Sequence, residues 1–199
     1  MKPINVLIFS DYAWPFCYIG KGIAEKLAQE FPLEITWMGY ELRPERPPHG
    51  ELLSKIMPGA DVAQVYARFN QTGAPYGLEF NPVDFIPNTR LALMATEYAK
   101  DLGKFEEFHN RVFKAYFTEG QDIGKVEVLL ALLDELGILP EQGAAAIENA
   151  EYARRLAENR AVGAPYHVVG LPTFIIEGKD KIVGAQTYEM FKGRLEKYC

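Results

Sequence analysis

Residues 10–20 read Ser10-Asp11-Tyr12-Ala13-Trp14-Pro15-Phe16-Cys17-Tyr18-Ile19-Gly20, and the reading of this stretch decides how the rest of the chain is placed. Upstream, Ile4-Asn5-Val6-Leu7-Ile8-Phe9 is a short apolar run suited to a buried central strand. Downstream, Ile19, Ile23 and Leu27 recur at helical spacing. Pro15 suits a first helical position, where its missing N–H would be unpaired anyway. The stretch is therefore a strand-to-helix junction. Backbone N–H donors and the positive end of the helix dipole converge at such a point, which favours a bound anion. The same field lowers the pKa of a thiol, and Cys17 is the thiol placed there.

Phe31-Pro32 ends the helix, and Leu33 to Tyr40 alternates Leu33, Ile35 and Trp37 against Glu34, Thr36 and Met38, a strand pattern. Strand, helix, strand in that order favours a right-handed parallel crossover. Pro44, Pro47, Pro48 and Gly50 make residues 41–50 a loop. From there to about residue 165 the pattern is helical. Asn88 is placed as an N-cap before the face of Leu91, Ala95, Tyr98 and Leu102. Phe105, Phe108, Val112 and Tyr116 form the next face. Val126, Leu129, Leu130, Leu133 and Leu136 form a third, closed by Gly137. Ile147, Ala150, Ala153 and Ala157 give a weaker fourth.

The strand signal returns at Thr173-Phe174-Ile175-Ile176. A hairpin-type turn at Glu177-Gly178-Lys179-Asp180 leads to Lys181-Ile182-Val183, and Tyr188, Phe191 and Leu195 mark a last helix over 187–198. The order βαβ, helices, ββα is that of an α/β, thioredoxin-like fold with an inserted all-helical domain. Residues 1–45 and 166–199 would form the discontinuous thioredoxin-like domain, and 46–165 the insertion. A chain of 199 residues with 48 % hydrophobic residues can bury one sizeable core.

Composition narrows the partners. The net charge is −6 and no Lys/Arg cluster stands out, which speaks against a nucleic-acid partner. No apolar stretch approaches the ~18–20 residues of a membrane span, and the N-terminus lacks a signal-peptide shape, so no membrane partner and a cytoplasmic location are expected. Cys17 and Cys199 stand at opposite ends, and His49, His109 and His167 are scattered, so no metal-ligand spacing is present. The histidines read as surface or packing residues. Arg43 reads as either a ligand anchor or a surface ion pair.

The junction also carries a resemblance. Asp11, Pro15, Cys17, Tyr18, Ile19 and Gly20 are similar to the Asp-x-x-Cys-Pro-Trp-Cys-Tyr-Ile-Gly segment of the DsbA-like thioredoxin-fold oxidoreductase family, in its FrnE-like branch, which is related to the 2-hydroxychromene-2-carboxylate isomerases. Glu41-Leu42-Arg43-Pro44, Ala115-Tyr116-Phe117 with Ile123-Gly124, and Gly170-Leu171-Pro172-Thr173-Phe174 with Gly184-Ala185-Gln186 extend the likeness almost end to end. The resemblance implies thiol–disulfide exchange, with Cys17 as the catalytic thiol and with Trp14, Pro15, Phe16, Leu171 and Pro172 binding substrate. It implies that Pro172 is a cis-proline. The family's first cysteine falls on Trp14, however, so the motif here is a degenerate Trp-Pro-Phe-Cys that cannot run a two-thiol cycle. Three functions follow as expectations. One is a DsbA-like oxidoreductase with a single active-site thiol. Another is a glutathione-dependent isomerase or transferase of the hydroxychromene carboxylate type. The last is a non-catalytic module for extended peptides. No cofactor is required in these readings, and glutathione is the candidate small thiol.

Overall fold

The computed structural model describes residues 2–199. The apolar run becomes β1 (Ile4–Ser10), with Ile4, Val6, Ile8 and Phe9 buried. Pro15 opens α1 (Pro15–Glu30), which turns Ile19, Ile23 and Leu27 inward. β2 (Leu33–Gly39) then lies parallel to β1.

The insertion between the two halves is helical except for one ribbon, in which β3 (Glu51–Leu52) pairs antiparallel with β4 (Phe85–Ile86). Between these strands lie α2 (Leu53–Ile56) and α3 (Val62–Gly73). Then come α4 (Arg90–Asp101), α5 (Phe105–Phe117) and α6 (Val126–Asp134). The face expected from Ile147 to Ala157 is two helices, α7 (Pro140–Ile147) and α8 (Ala150–Gly163). The break has a local cause: Asn149 accepts the Glu151 N–H at 2.9 Å and starts a new helix. Asn88 caps α4 from one position further out than expected, accepting the Arg90 N–H at 3.0 Å.

The chain closes with β5 (Thr173–Ile176), β6 (Asp180–Val183) and α9 (Tyr188–Leu195). The strand order is β2-β1-β5-β6, with β5 antiparallel to β1 and β6 antiparallel to β5. In the turn between β5 and β6, Glu177 and Gly178 both take positive φ. The Glu177 carboxylate accepts the Asn5 backbone N–H at 2.6 Å, tying the hairpin back to β1. This is a thioredoxin-like sheet with helices inserted between β2 and β5.

Aromatic packing joins the insertion to α1. Tyr18 stacks on Phe113 with ring centres 5.2 Å apart, and Phe113 meets Tyr12 edge-on at 4.8 Å. Polar ties hold the end of β2: Lys100 donates to the Trp37 carbonyl at 2.8 Å, and Asn159 donates to the Gly39 carbonyl at 3.2 Å.

Candidate active site at the start of α1

The site begins where β1 ends. Trp14, in extended conformation, is the residue before α1, and Pro15 is its first helical residue. The Cys17 N–H closes back on the Trp14 carbonyl at 2.9 Å, and Pro15 has no N–H. Among the described residues the Phe16 N–H has no partner, so it is the free donor of this first turn.

Trp14 divides two cavities of about 270 Å³ each. The first is apolar. Trp14, Pro15 and Phe16 form one wall, and Ile56, Tyr66 and Phe69 lie among the residues facing them. The second is the more polar of the two, with Arg43, Glu45, Arg46 and Glu51 sharing its lining with Trp14, Pro47, Ile56 and Ile86. Arg46 is buried. Its Nε donates to Glu51 at 3.2 Å, its Nη1 donates to the Pro87 carbonyl at 3.3 Å, and its guanidinium lies 5.7 Å from the Trp14 ring centre. Arg43 is mostly exposed and pairs with Glu45 at 3.4 Å, so it is at once a surface ion pair and a cavity wall.

The remaining expected site residues do not join these cavities. Cys17 is fully buried, and burial pushes its thiol up to about 12. The Asp11 backbone and the Ser10 side chain pull the other way and offset only part of that rise. The expectation of a lowered thiol pKa is thereby corrected: desolvation outweighs the helix field because no water reaches the sulfur. Leu171 and Pro172 are also buried, and the peptide bond between them is cis. Pro172 lies against α1 at Gly20, where an added Cβ would stand 2.8 Å from its Cγ.

Asp11 is a buried carboxyl at the same junction. Burial raises its pKa, while the Thr89 side chain, the Ala13 amide (3.2 Å) and the Arg46 charge lower it. A carboxyl with a raised folded-state pKa stabilises the fold most below its unfolded value, and that contribution is lost as pH rises through the folded value. Asp11→Asn is therefore expected to melt a few °C above the wild type at pH 8 and to lose that advantage near pH 4. Thermal melts across that range test it, and an advantage independent of pH would contradict it.

His109 is buried in the core, with its Nδ1 2.9 Å from the Tyr12 hydroxyl. Burial first, then the charges of Lys21 and Lys100, hold its imidazole well below 6.5. It packs, as the sequence reading expected. Among the described residues no group of three or more His, Cys, Asp or Glu gathers as a metal site, and no helix is long and apolar enough to cross a membrane. Sequence reasoning missed Arg46 and the cavity wall from α3. A buried arginine two residues after Pro44 leaves no periodic trace. The apolar positions of α3 went unassigned because the stretch was read only as generally helical.

The model of the DSBA-like thioredoxin domain matches residues 5–196. The chain belongs to that family. YwbO of Bacillus subtilis (strain 168) is 30 % identical over 197 residues, covering 95 % of this chain and 94 % of YwbO. A probable DsbA oxidoreductase from Streptomyces coelicolor superposes with a TM-score of 0.89 at 25 % identity, covering 98 % of this chain and 89 % of that one. A 2-hydroxychromene-2-carboxylate isomerase shares the fold at a TM-score of 0.77 and 19 % identity, covering 98 % and 96 % of the two chains. The cytosolic disulfide reductase DsbM of Pseudomonas aeruginosa, solved with GSH, shares it at 0.66 and 17 %, covering 98 % of each. The DsbA-like frame is thus common ground for redox enzymes and an isomerase.

Proposed function

We propose that this DsbA-like protein uses a small thiol of the glutathione kind, and works as an isomerase or transferase rather than by disulfide exchange through Cys17. The observation that carries this reading is the pair of cavities meeting on Trp14 at the start of α1. Glutathione is a zwitterionic tripeptide, with an ammonium group and two carboxylates. The residues present fit it: Arg43 and Arg46 suit its carboxylates, and Glu45 and Glu51 suit its ammonium. When bound, the tripeptide supplies the nucleophilic thiolate that the chain's own sealed cysteine does not. The Phe16 N–H and the positive end of α1 favour an anionic sulfur at the helix start. Trp14 and Phe16 keep water from the apolar side, where a second molecule fits.

Two neighbours lend support: DsbM was solved with GSH, and the hydroxychromene carboxylate isomerase shares the fold. A cytoplasmic setting, where small thiols are abundant and disulfides rare, suits a chain whose two cysteines are both free. Exchange through Cys17 is the second reading, and it requires the site to open. The peptide module is the weakest, since Leu171 and Pro172 line neither cavity.

Calorimetric titration tests the proposal. Glutathione is expected to bind at or below the millimolar range. Arg43→Ala is expected to weaken it about five- to tenfold, and Cys17→Ser to leave it unchanged. No binding at 10-fold above that range would overturn the reading. So would insulin reduction with glutathione that proceeds in the wild type and stops in Cys17→Ala.

A further inference from the structure

We infer that the apolar cavity is the site of an uncharged ring compound, and that it discriminates against carboxylates. The inference shares the Trp14 wall with the reading above but needs no thiol.

No residue lining this cavity carries a charge. Its aromatic walls come from Trp14, Phe16, Tyr66, Phe69, Phe85 and Tyr116. Of the two phenols, Tyr116 is engaged, donating to the Phe85 carbonyl at 2.8 Å. Burial holds both phenols above their usual pKa, so both stay neutral. The Trp14 indole N–H is buried without a partner. Arg46 lines the other, more polar cavity beside Trp14, held by Glu51 and the Pro87 carbonyl. A carboxylate entering the apolar cavity would lose its hydration and meet no charged lining residue, and neutral donors such as the free Phe16 N–H would offset only part of that cost.

The wall geometry selects rings. Phe16 meets Phe69 edge-on, with centres 5.6 Å apart and planes at 90°. Tyr66 meets Phe69 in the same way at 5.7 Å and 84°. A planar ring inserted beside them continues this edge-to-face pattern, the arrangement that aromatic quadrupoles prefer. A volume of about 270 Å³ admits a small molecule and not a helix or folded peptide. The rim is apolar as well: Phe16, Ile56 and Met57 are 47 %, 43 % and 43 % exposed. These are large apolar groups held open to solvent at the cavity's edge, where an apolar ligand would cover them.

Calorimetry at pH 8 without thiol, using 2-naphthalenemethanol and 2-naphthoate, tests the inference, because the two probes share a ring and differ in charge. The alcohol is expected to bind, with the carboxylate at least about tenfold weaker. Val65→Phe fills the cavity from α3 and is expected to weaken the alcohol at least about tenfold. Ala60→Leu fills it from the segment after α2, independently of how well the Val65 variant folds, and is expected to do the same. Equal or tighter binding of 2-naphthoate would overturn the inference, as would no binding of the alcohol, or binding unchanged in both variants. Failure of glutathione to bind while the alcohol binds would remove the thiol reading and leave this one standing.

Discussion

Native protein treated with a chromogenic disulfide reagent at pH 8 is expected to release about one equivalent of thiol quickly, from Cys199, and the second only when it unfolds. Cys199 is exposed, whereas Cys17 has no exposed surface. With the Cys17 thiol pushed up to about 12, only ~1 in 10⁴ molecules carries the thiolate at pH 8. Burial also blocks the approach of the reagent. The two thiols should therefore differ by about 10³-fold or more in rate, and Cys17→Ser should remove the slow class alone. The same shift has a stability consequence. A thiol whose folded pKa lies above its unfolded value of 9.0 contributes stability that is complete below about pH 9 and lost as pH rises toward 12. Two fast equivalents in the native state would contradict the buried geometry and restore single-thiol exchange as the leading chemistry.

Phe113→Ala is expected to cost about 3–5 kcal/mol, seen as a fall of roughly 10 °C in melting temperature and a lower urea midpoint. Phe113 is fully buried and touches aromatic rings on both sides of the structural join. Tyr18 of α1 stacks on it, Tyr12 meets it edge-on, and His109 and Phe117 of its own helix complete the cluster. Its loss removes a large apolar volume at the contact between α1 and α5, and relaxation of either helix would disturb the other's packing. Phe113→Leu, which keeps most of the volume, should cost markedly less. A loss below about 1 kcal/mol for the alanine variant would show that this cluster does not hold the insertion to the sheet.

The parts of the fold legible in the sequence are those with sustained periodicity. Ile19, Ile23 and Leu27 are buried on α1 as their spacing implied, and Pro15 is its first residue. Gly137 takes the positive φ of 75° expected just beyond the helix it closes. The ribbon of Glu51–Leu52 with Phe85–Ile86 was not legible, because two-residue strands repeat nothing. The break at Asn149 was hidden by an alanine-rich stretch that suits one helix or two. At the site, the helix start was legible, but the state of Cys17 was not. Its sign depends on burial, which residues distant in sequence impose, whereas the motif alone supplies only the helix field. The apolar cavity was hidden for the same reason: it forms only when α2, α3 and β4 close over residues 13–16.

The placing of β1 bears on how the molecule is made. It is flanked by β2 from the first part of the chain and by β5 from the last, and Asn5 is joined to Glu177 across 172 residues. At ~5–20 residues per second, the nascent chain waits about 10–30 s between making β1 and making its second neighbour. During that interval β1 and β2 can pair, but the other side of β1 presents Val6, Leu7, Ile8 and Phe9 with backbone groups unmatched. This interval is the one most open to aggregation or chaperone capture. The helices of the insertion are all made before β5, the last of them ending at Gly163 and β5 starting at Thr173, so the C-terminal strands and helix act as a latch set on the rest of the body.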